Sequence, residues 1–431
     1  MKHLSVLAVV LAMSVAGALE VGVASVDITP DTALFRVPMG GYGARMGRPA
    51  TGAHDPLKAK VLYFRDGGTR MALITCDLRS STPEFKGLIA KLCAELGLSA
   101  ANIMIAASHT HDGPSMYPEK FWQMQFGKYD PAMLREMAEK TASAVREAAA
   151  NAAPARVGEG SCPAEGMTRN RRWGYDQAAR EAAGETPLTN PVLRVLRVDG
   201  MDGACRALLV NFASHPTILS DKNMLLSAEW PGVLQRELEA AFPGAVALYT
   251  NGAQGDQSPA GAEGADDFAR IEDYGRKLAK LAAASADGIE TVPDVAIACG
   301  HATPELPAPV FASASEEKYA TYRAAALEAL PRHAEIQLLA IGGTAWVGLP
   351  GEPVMAVGME VRRRVMAAGY KDCVSVGLAN DYIGYILNAT EYAHGGYEVD
   401  SRSFYGPGLG DFIAGAAEKL AGEVNARPAN N

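Results

Sequence analysis

The sequence predicts an α/β protein in which mixed β-sheets are layered between helices and a metal site lies at the carboxyl ends of strands. Three observations carry this expectation. Continuous apolar runs of strand length alternate with longer segments of helical periodicity, the pattern of strands buried on both faces between helical layers. Several helical segments open on proline, two of them behind an acid, as first turns favour. Polar clusters rich in His, Asp, Glu and Tyr directly follow five of the apolar runs, where α/β sheets place their ligands.

The start of the chain stands outside this pattern. Lys2 and His3 precede an apolar stretch from Leu4 to Val15, and Ala16-Gly17-Ala18 offers a small-residue cleavage site. The arrangement predicts a signal peptide over 1–18 and a secreted or periplasmic protein. The stretch is too short to span a bilayer, and no second run of about 20 apolar residues follows. Residues 19–431 then form the folded unit, long enough for one multilayer domain or two joined halves. A Pro- and Ala-rich connector within 300–335 is the candidate internal boundary.

Strands are expected at Met71 to Cys76, Ile103 to Ala107, Ala207 to Ala213, Ala245 to Thr250, Ala345 to Leu349 and Cys373 to Leu378. Helices are expected over Pro131 to Ala150, capped by Asp130, and over Pro231 to Ala241, Asp267 to Ala284 and Pro353 to Ala368. A further helix is expected from Glu316 to Leu330. The hydrophobic share of 48% and charged share of 21% are those of an ordinary globular chain. A net charge of −9 argues against a nucleic-acid partner, because phosphate backbones require clustered Lys and Arg. The six cysteines are scattered without a CxxC pair, which disfavours a Cys-zinc site and leaves disulfides open in an exported protein.

The polar clusters carry the chemistry. Ile103 to Ala107 leads into Ser108-His109-Thr110-His111-Asp112-Gly113-Pro114. In an extended segment, His109 and His111 point to the same side; both can reach one ion, or one binds it while the other moves protons. "LLVNFASHPT" leads into His215, and "AWVGLPGEP" leads into Glu352. Pro353 suits a first helical position, which would set Glu352 at a helix N-terminus. "VALYTNGAQGDQSP" leads into a Gly-rich turn with Asp256 and Ser258; it either presents a hydroxyl and N–H groups to a substrate or is only a turn. "CVSVGLANDYIGY" brings Asn380, Asp381, Tyr382 and Tyr385. Two histidines, a carboxylate and an oxygen donor such as tyrosine suit a catalytic zinc, Zn2+, the machinery for hydrolysing an amide or ester.

Taken together, these segments resemble the neutral ceramidase family, zinc amidases that release fatty acid from N-acylsphingosine. The family's T-H-T-H-S-G-P is similar to Ser108–Pro114, its F-A-x-H-P to Phe212–Pro216, and its G-D-V-S-P-N to Gly255–Ala260. Its P-G-E is matched by Pro350-Gly351-Glu352, and its G-L-x-N-x-Y-x-x-Y by Gly377–Tyr385. Weaker echoes occur in "VGVASVDITP", "GGYGAR", "HDPL" and Asn170-Arg171. The motifs keep the family's order across nearly the whole mature chain, its catalytic domain alone.

The resemblance implies an exported zinc-dependent hydrolase of a carboxamide bond, acting on ceramide or a related N-acyl lipid with water activated at the ion. It implies His109, His215, Glu352 and Tyr385 as metal ligands. His111 would exchange protons or stabilise the oxyanion, and Arg171 would contact substrate or intermediate. Ser258 matches a serine sometimes written as nucleophile; with no His-Asp partner in its own segment, an orienting role is preferred. Asp256, Asn380 and Tyr382 would stand beside the substrate. Transient contact with a membrane surface fits a lipid amide, and no obligate protein partner is evident. The chain departs from the pattern at Asp112, Arg172, Gln257 and Ala260, which bears on ceramide specificity more than on zinc or amide chemistry. Two other readings remain: a zinc amidase for small polar amides or peptides, and a non-catalytic secreted binding protein of the same fold.

Overall fold

Eight strands make the larger of two stacked sheets: β1 (Glu20–Asp27), β2 (Lys58–Asp66), β3 (Thr69–Cys76), β4 (Ile103–Ala107), β5 (Ala153–Pro163), β6 (Val192–Gly200), β7 (Cys205–Phe212) and β8 (Val246–Asn251). Their spatial order is β8-β7-β6-β5-β1-β2-β3-β4. The pairs β3/β4 and β7/β8 are parallel, and the other neighbours run antiparallel. A second sheet, in sequential order, holds β9 (Ile297–Ala302), β10 (Ile336–Ile341), β11 (Thr344–Gly348) and β12 (Asp372–Val376), with β11/β12 parallel. This computed structural model describes residues 18–310 and 320–425. All but the last residue of the expected signal peptide lies outside the described residues.

Parallel neighbours cannot be joined by a tight hairpin; they require a crossover. The chain supplies one helix for each parallel pair: Pro83–Leu92 between β3 and β4, Glu229–Ala241 between β7 and β8, and Met355–Ala367 between β11 and β12. Each pair therefore ends with two carboxyl termini side by side. The sequence clusters singled out above all follow these ends.

The sheets pack face to face. Leu62, Phe64, Leu73, Met104, Leu209 and Leu248 of the large sheet are buried against Leu339, Trp346 and Val374 of the small one. Helices cover the outer faces. Pro83–Leu92 and Pro131–Ala150 pack on one half of the large sheet. Glu229–Ala241 and Asp267–Asp287 pack on the other half, and Met355–Ala367 and Leu409–Asn425 on the small sheet. The result is the expected α/β architecture, with mixed sheets between helical layers.

Most expected elements occur within one to three residues of their predicted bounds. The helix Pro131–Ala150 forms as expected, with the Asp130 side chain accepting from Ala132 N at 2.8 Å. Glu229–Ala241 starts two residues before Pro231. The helix expected from Pro353 starts at Met355 instead, because Glu352–Pro353 pairs in parallel with Tyr385–Ile386. Of the helix expected from Glu316, Ala320–Ala329 is seen, and its first residues lie outside the described ones. The 300–335 connector leaves and re-enters one sheet, since Ala302 pairs with Ile336. All six cysteines are free, so no disulfide contributes.

Leu73 is fully buried between the sheets. Leu73→Ala should destabilise the protein by about 2–5 kcal/mol through lost burial and the remaining cavity, read as a lower urea midpoint with an unchanged slope.

Candidate metal centre

The site begins where β4 ends. His109 adopts a left-handed backbone, φ 71°, so the chain turns at once. His109 and His111 meet because of this turn and not by the alternation of an extended strand: their Nε2 atoms are 3.3 Å apart with rings nearly perpendicular at 87°. His109 Nδ1 lies 2.7 Å from the carbonyl of Arg79, which follows the neighbouring strand β3. His215, after β7, has Nδ1 3.0 Å from the carbonyl of Gln257, which follows β8. Both parallel pairs of the large sheet thus use one strand end to carry a histidine and the other to orient it.

Glu352, after β11, completes the group. Its Oε2 lies 3.2 Å from His109 Nε2 and 3.0 Å from His215 Nε2. Its Oε1 accepts from the Tyr382 hydroxyl at 2.7 Å, and that hydroxyl accepts from Arg79 Nη2 at 2.8 Å. His109, His215 and Glu352 are all buried, while His111 remains partly exposed.

The protonation pattern follows from the partners. A carbonyl oxygen only accepts, so Nδ1 of His109 and of His215 carries the hydrogen. With each ring in its neutral form, the Nε2 lone pair faces a carboxylate oxygen, acceptor against acceptor. Burial lowers the pKa of His215 to about 4, so that ring does not supply a proton to relieve its contact at neutral pH. A cation between these atoms does. Ligand atoms at tetrahedral bonds of about 2.0–2.1 Å stand roughly 3.3 Å apart, close to the separations seen. Ring nitrogens of His109, His111 and His215 all lie within 4.8 Å of one another. The donor set fits a metal ion.

Tyr385 sits opposite Glu352 in the short parallel pair. Its hydroxyl accepts from Arg171 Nη2 at 2.9 Å, which leaves oxygen lone-pair density free. Arg171 is anchored by Gly255 O at 2.9 Å and by Glu398 at 2.8 Å. The second oxygen of Glu398 binds Arg172 at 2.6 Å, and Arg172 also pairs with Glu391 at 3.0 Å. The departure at Arg172 is therefore a buried structural ion network beside Arg171.

The other expected residues occupy distinct places. Ser258 lies in a short strand paired with Thr168–Asn170, next to the Gln257 carbonyl that orients His215. Among the described residues, its hydroxyl bonds to none of the histidines or carboxylates. Asp256 is buried, with its oxygens accepting from Met355 N at 2.8 Å, Asn170 at 3.0 Å and Gln257 at 2.9 Å. Asn380, at φ 65°, accepts from Ile105 N at 2.9 Å and donates to Gln337 at 2.7 Å. Both brace the loops around the site. Asp112 neither faces solvent nor touches the His111 ring. It is buried and paired with Arg45, which also donates to His111 O and to Gly40 O, fixing the main chain that carries His111.

Sequence reasoning missed Arg79, Glu398 and the Gln257 carbonyl. Arg79 follows an expected strand, and that position alone was the available signal. Glu398 stands in the helix Tyr397–Arg402 outside every motif, and a main-chain acceptor has no residue signature.

Comparison with known proteins agrees with this fold. Residues 19–272 match the family described as neutral/alkaline non-lysosomal ceramidase, N-terminal. The neutral ceramidase of Mycobacterium tuberculosis is 25% identical over 475 aligned positions, covering 90% of this chain and 74% of that protein. The crystal structure of neutral ceramidase from Pseudomonas aeruginosa superposes with a TM-score of 0.79 at 20% identity, over 95% of this chain and 74% of that one. A ceramidase structure complexed with C2 has the same score and identity and covers 76% of its own chain. The chain belongs to the neutral/alkaline non-lysosomal ceramidase family.

Proposed function

We propose that the protein is an exported zinc-dependent amidohydrolase that cleaves the carboxamide bond of ceramide or a related N-acyl lipid. The observation that carries the metal is the pair of imidazole lone pairs held by Arg79 O and Gln257 O against one Glu352 oxygen. Family membership carries the bond type. The signal-peptide-like sequence of residues 1–18 supports the reading of export to the periplasm or beyond.

His109, His215, Glu352 and Tyr385 would hold the ion, and their N and O donors suit zinc. When bound, zinc polarises a carbonyl and brings the pKa of water to near 7. The chain's own groups do the rest. His111 is neutral, and its buried Nδ1 has no hydrogen-bond partner among the described residues; this ring would take a proton from water and return it to the leaving amine. Arg171 brings a fixed positive charge beside Tyr385, placed to stabilise negative charge developing on the acyl oxygen. Tyr382 and Arg79 occupy the second oxygen of Glu352 and keep the first aimed at the histidines. Ser258 orients substrate from the adjoining strand. Asp256 and Asn380 hold the loops that carry the site.

Three outcomes test this reading. Purified protein should contain one zinc per chain, and His215→Ala should reduce that to under about a tenth by elemental analysis while keeping the circular dichroism spectrum, since removing one of four ligands costs most of the affinity. Incubation with a panel of N-acyl amides should release fatty acid from N-acylsphingosines, identified by mass spectrometry, and a chelator should abolish this until zinc is restored. Activity that survives chelation together with trapping of Ser258 by a fluorophosphonate would sink the metal mechanism. Glu398→Gln should cut kcat roughly 10–100-fold by loosening Arg171 and Tyr385, with Glu398→Asp less impaired.

A further inference from the structure

The three most exposed large apolar side chains among the described residues are Met46, Leu34 and Met124, at 78%, 74% and 59% exposure. They come from separate segments that interlock. Arg36 Nη2 donates to Gly47 O at 3.3 Å, and Pro38 bridges Pro49. Gly47 and Gly127 approach so closely that a Cβ on either would stand 3.0 Å from the other's main chain. Exposed cations share this surface: Arg36, Arg48 and Lys128. Arg36 and Arg48 meet main-chain carbonyls, and among the described residues no carboxylate pairs with any of the three. Three cations without carboxylate partners beside three exposed apolar side chains, on a chain of net charge −9, set this rim apart, and exposed Asp31 and Asp130 flank it.

The rim adjoins the accessible side of the metal centre. A Cβ on Gly41 would fall 2.5 Å from His111 Cβ, and Tyr42 meets the His111 ring edge-on at 4.7 Å. His111 is the partly exposed histidine. Met124 shares the helix Lys120–Phe126 with Trp122 and Phe126. Trp122 packs 5.8 Å from the Tyr382 ring, and the Arg79 guanidinium lies 4.9 Å over Phe126.

We propose that this rim docks on an anionic lipid surface. Leu34, Met46 and Met124 enter the headgroup layer while Arg36, Arg48 and Lys128 meet lipid phosphates. A lipid amide then passes from the bilayer to the His111 side of the site without crossing water; this second part rests on the lipid-amide reading above. No helix among the described residues is long and apolar enough to cross a membrane, so attachment through this rim is peripheral.

The metal-loaded full chain should co-sediment with phosphatidylcholine vesicles containing phosphatidylglycerol and much less with phosphatidylcholine alone. Binding should weaken about tenfold or more in Met46→Ser with Met124→Ser, and about tenfold in Arg36→Gln with Arg48→Gln. Met201→Ser, an exposed methionine in the turn at the opposite end of β7, should bind as wild type. Hydrolysis of vesicle-borne substrate should fall in parallel with binding, while a short soluble N-acyl amide is turned over unchanged. Equal binding to both vesicle types, no binding, or variants that bind as wild type overturns the proposal. So does a dimer in sedimentation velocity that the double methionine variant dissolves, which gives the face to a second copy. Vesicle binding is read without turnover, so loss of the amidase reading shows separately, as no hydrolysis of the soluble substrate.

Discussion

One buried carboxylate oxygen with two imidazole lone pairs aimed at it governs the centre of this protein. With both rings neutral, three acceptors at about hydrogen-bond distance repel one another in a medium that screens poorly. The surrounding structure holds them there anyway. Two main-chain carbonyls fix the histidine tautomers, a tyrosine occupies the other carboxylate oxygen, and an arginine fixes that tyrosine. These partners all serve to keep an unfavourable arrangement in place. Such expenditure of structure is intelligible when a cation completes the group, and the layout of strands follows from it: each parallel pair ends with one residue to bind and one to orient.

The shell beyond the donors is also made of buried charge, and it works by complete pairing. Arg45 binds Asp112 and, through the same guanidinium, the carbonyls of His111 and Gly40. Arg172 divides its donors between Glu391 and Glu398 and the main chain at Glu391 and Gly395. Buried ion pairs contribute little net stability, yet removing one partner is costly. Their value here is positional. Arg45 fixes the His111 backbone, and Glu398 fixes Arg171. Two positions where the sequence leaves the family pattern, Asp112 and Arg172, belong to these two networks, so the departures re-anchor the site without entering it.

Much of this was legible in the sequence because strands buried on both faces announce themselves as apolar runs. Ile103–Ala107 was readable to the residue, and the ends of such runs pointed to His109, His215, Glu352 and the cluster Asn380 to Tyr385, within which only the family resemblance singled out Tyr385. Two things were not legible. The meeting of His109 and His111 depends on a positive φ at a histidine, which no local pattern signals; the alternation argument reached the right pair for the wrong reason. The start of the helix after Glu352 depends on pairing with Tyr385–Ile386, a contact between segments far apart in the chain. Glu398 illustrates the same limit: its importance comes entirely from what it touches.

The three crossover units have one more consequence. Because the proposed donors sit at the ends of three different parallel pairs, no contiguous stretch of chain contains a working centre. The donors come together only after both sheets have formed and stacked, long-range steps that come late and slowly in folding. An ion bound there recognises the finished molecule, not a fragment, and its binding free energy is added to the stability of the whole. Occupancy of the centre is thus a record that the entire four-layer structure has been assembled.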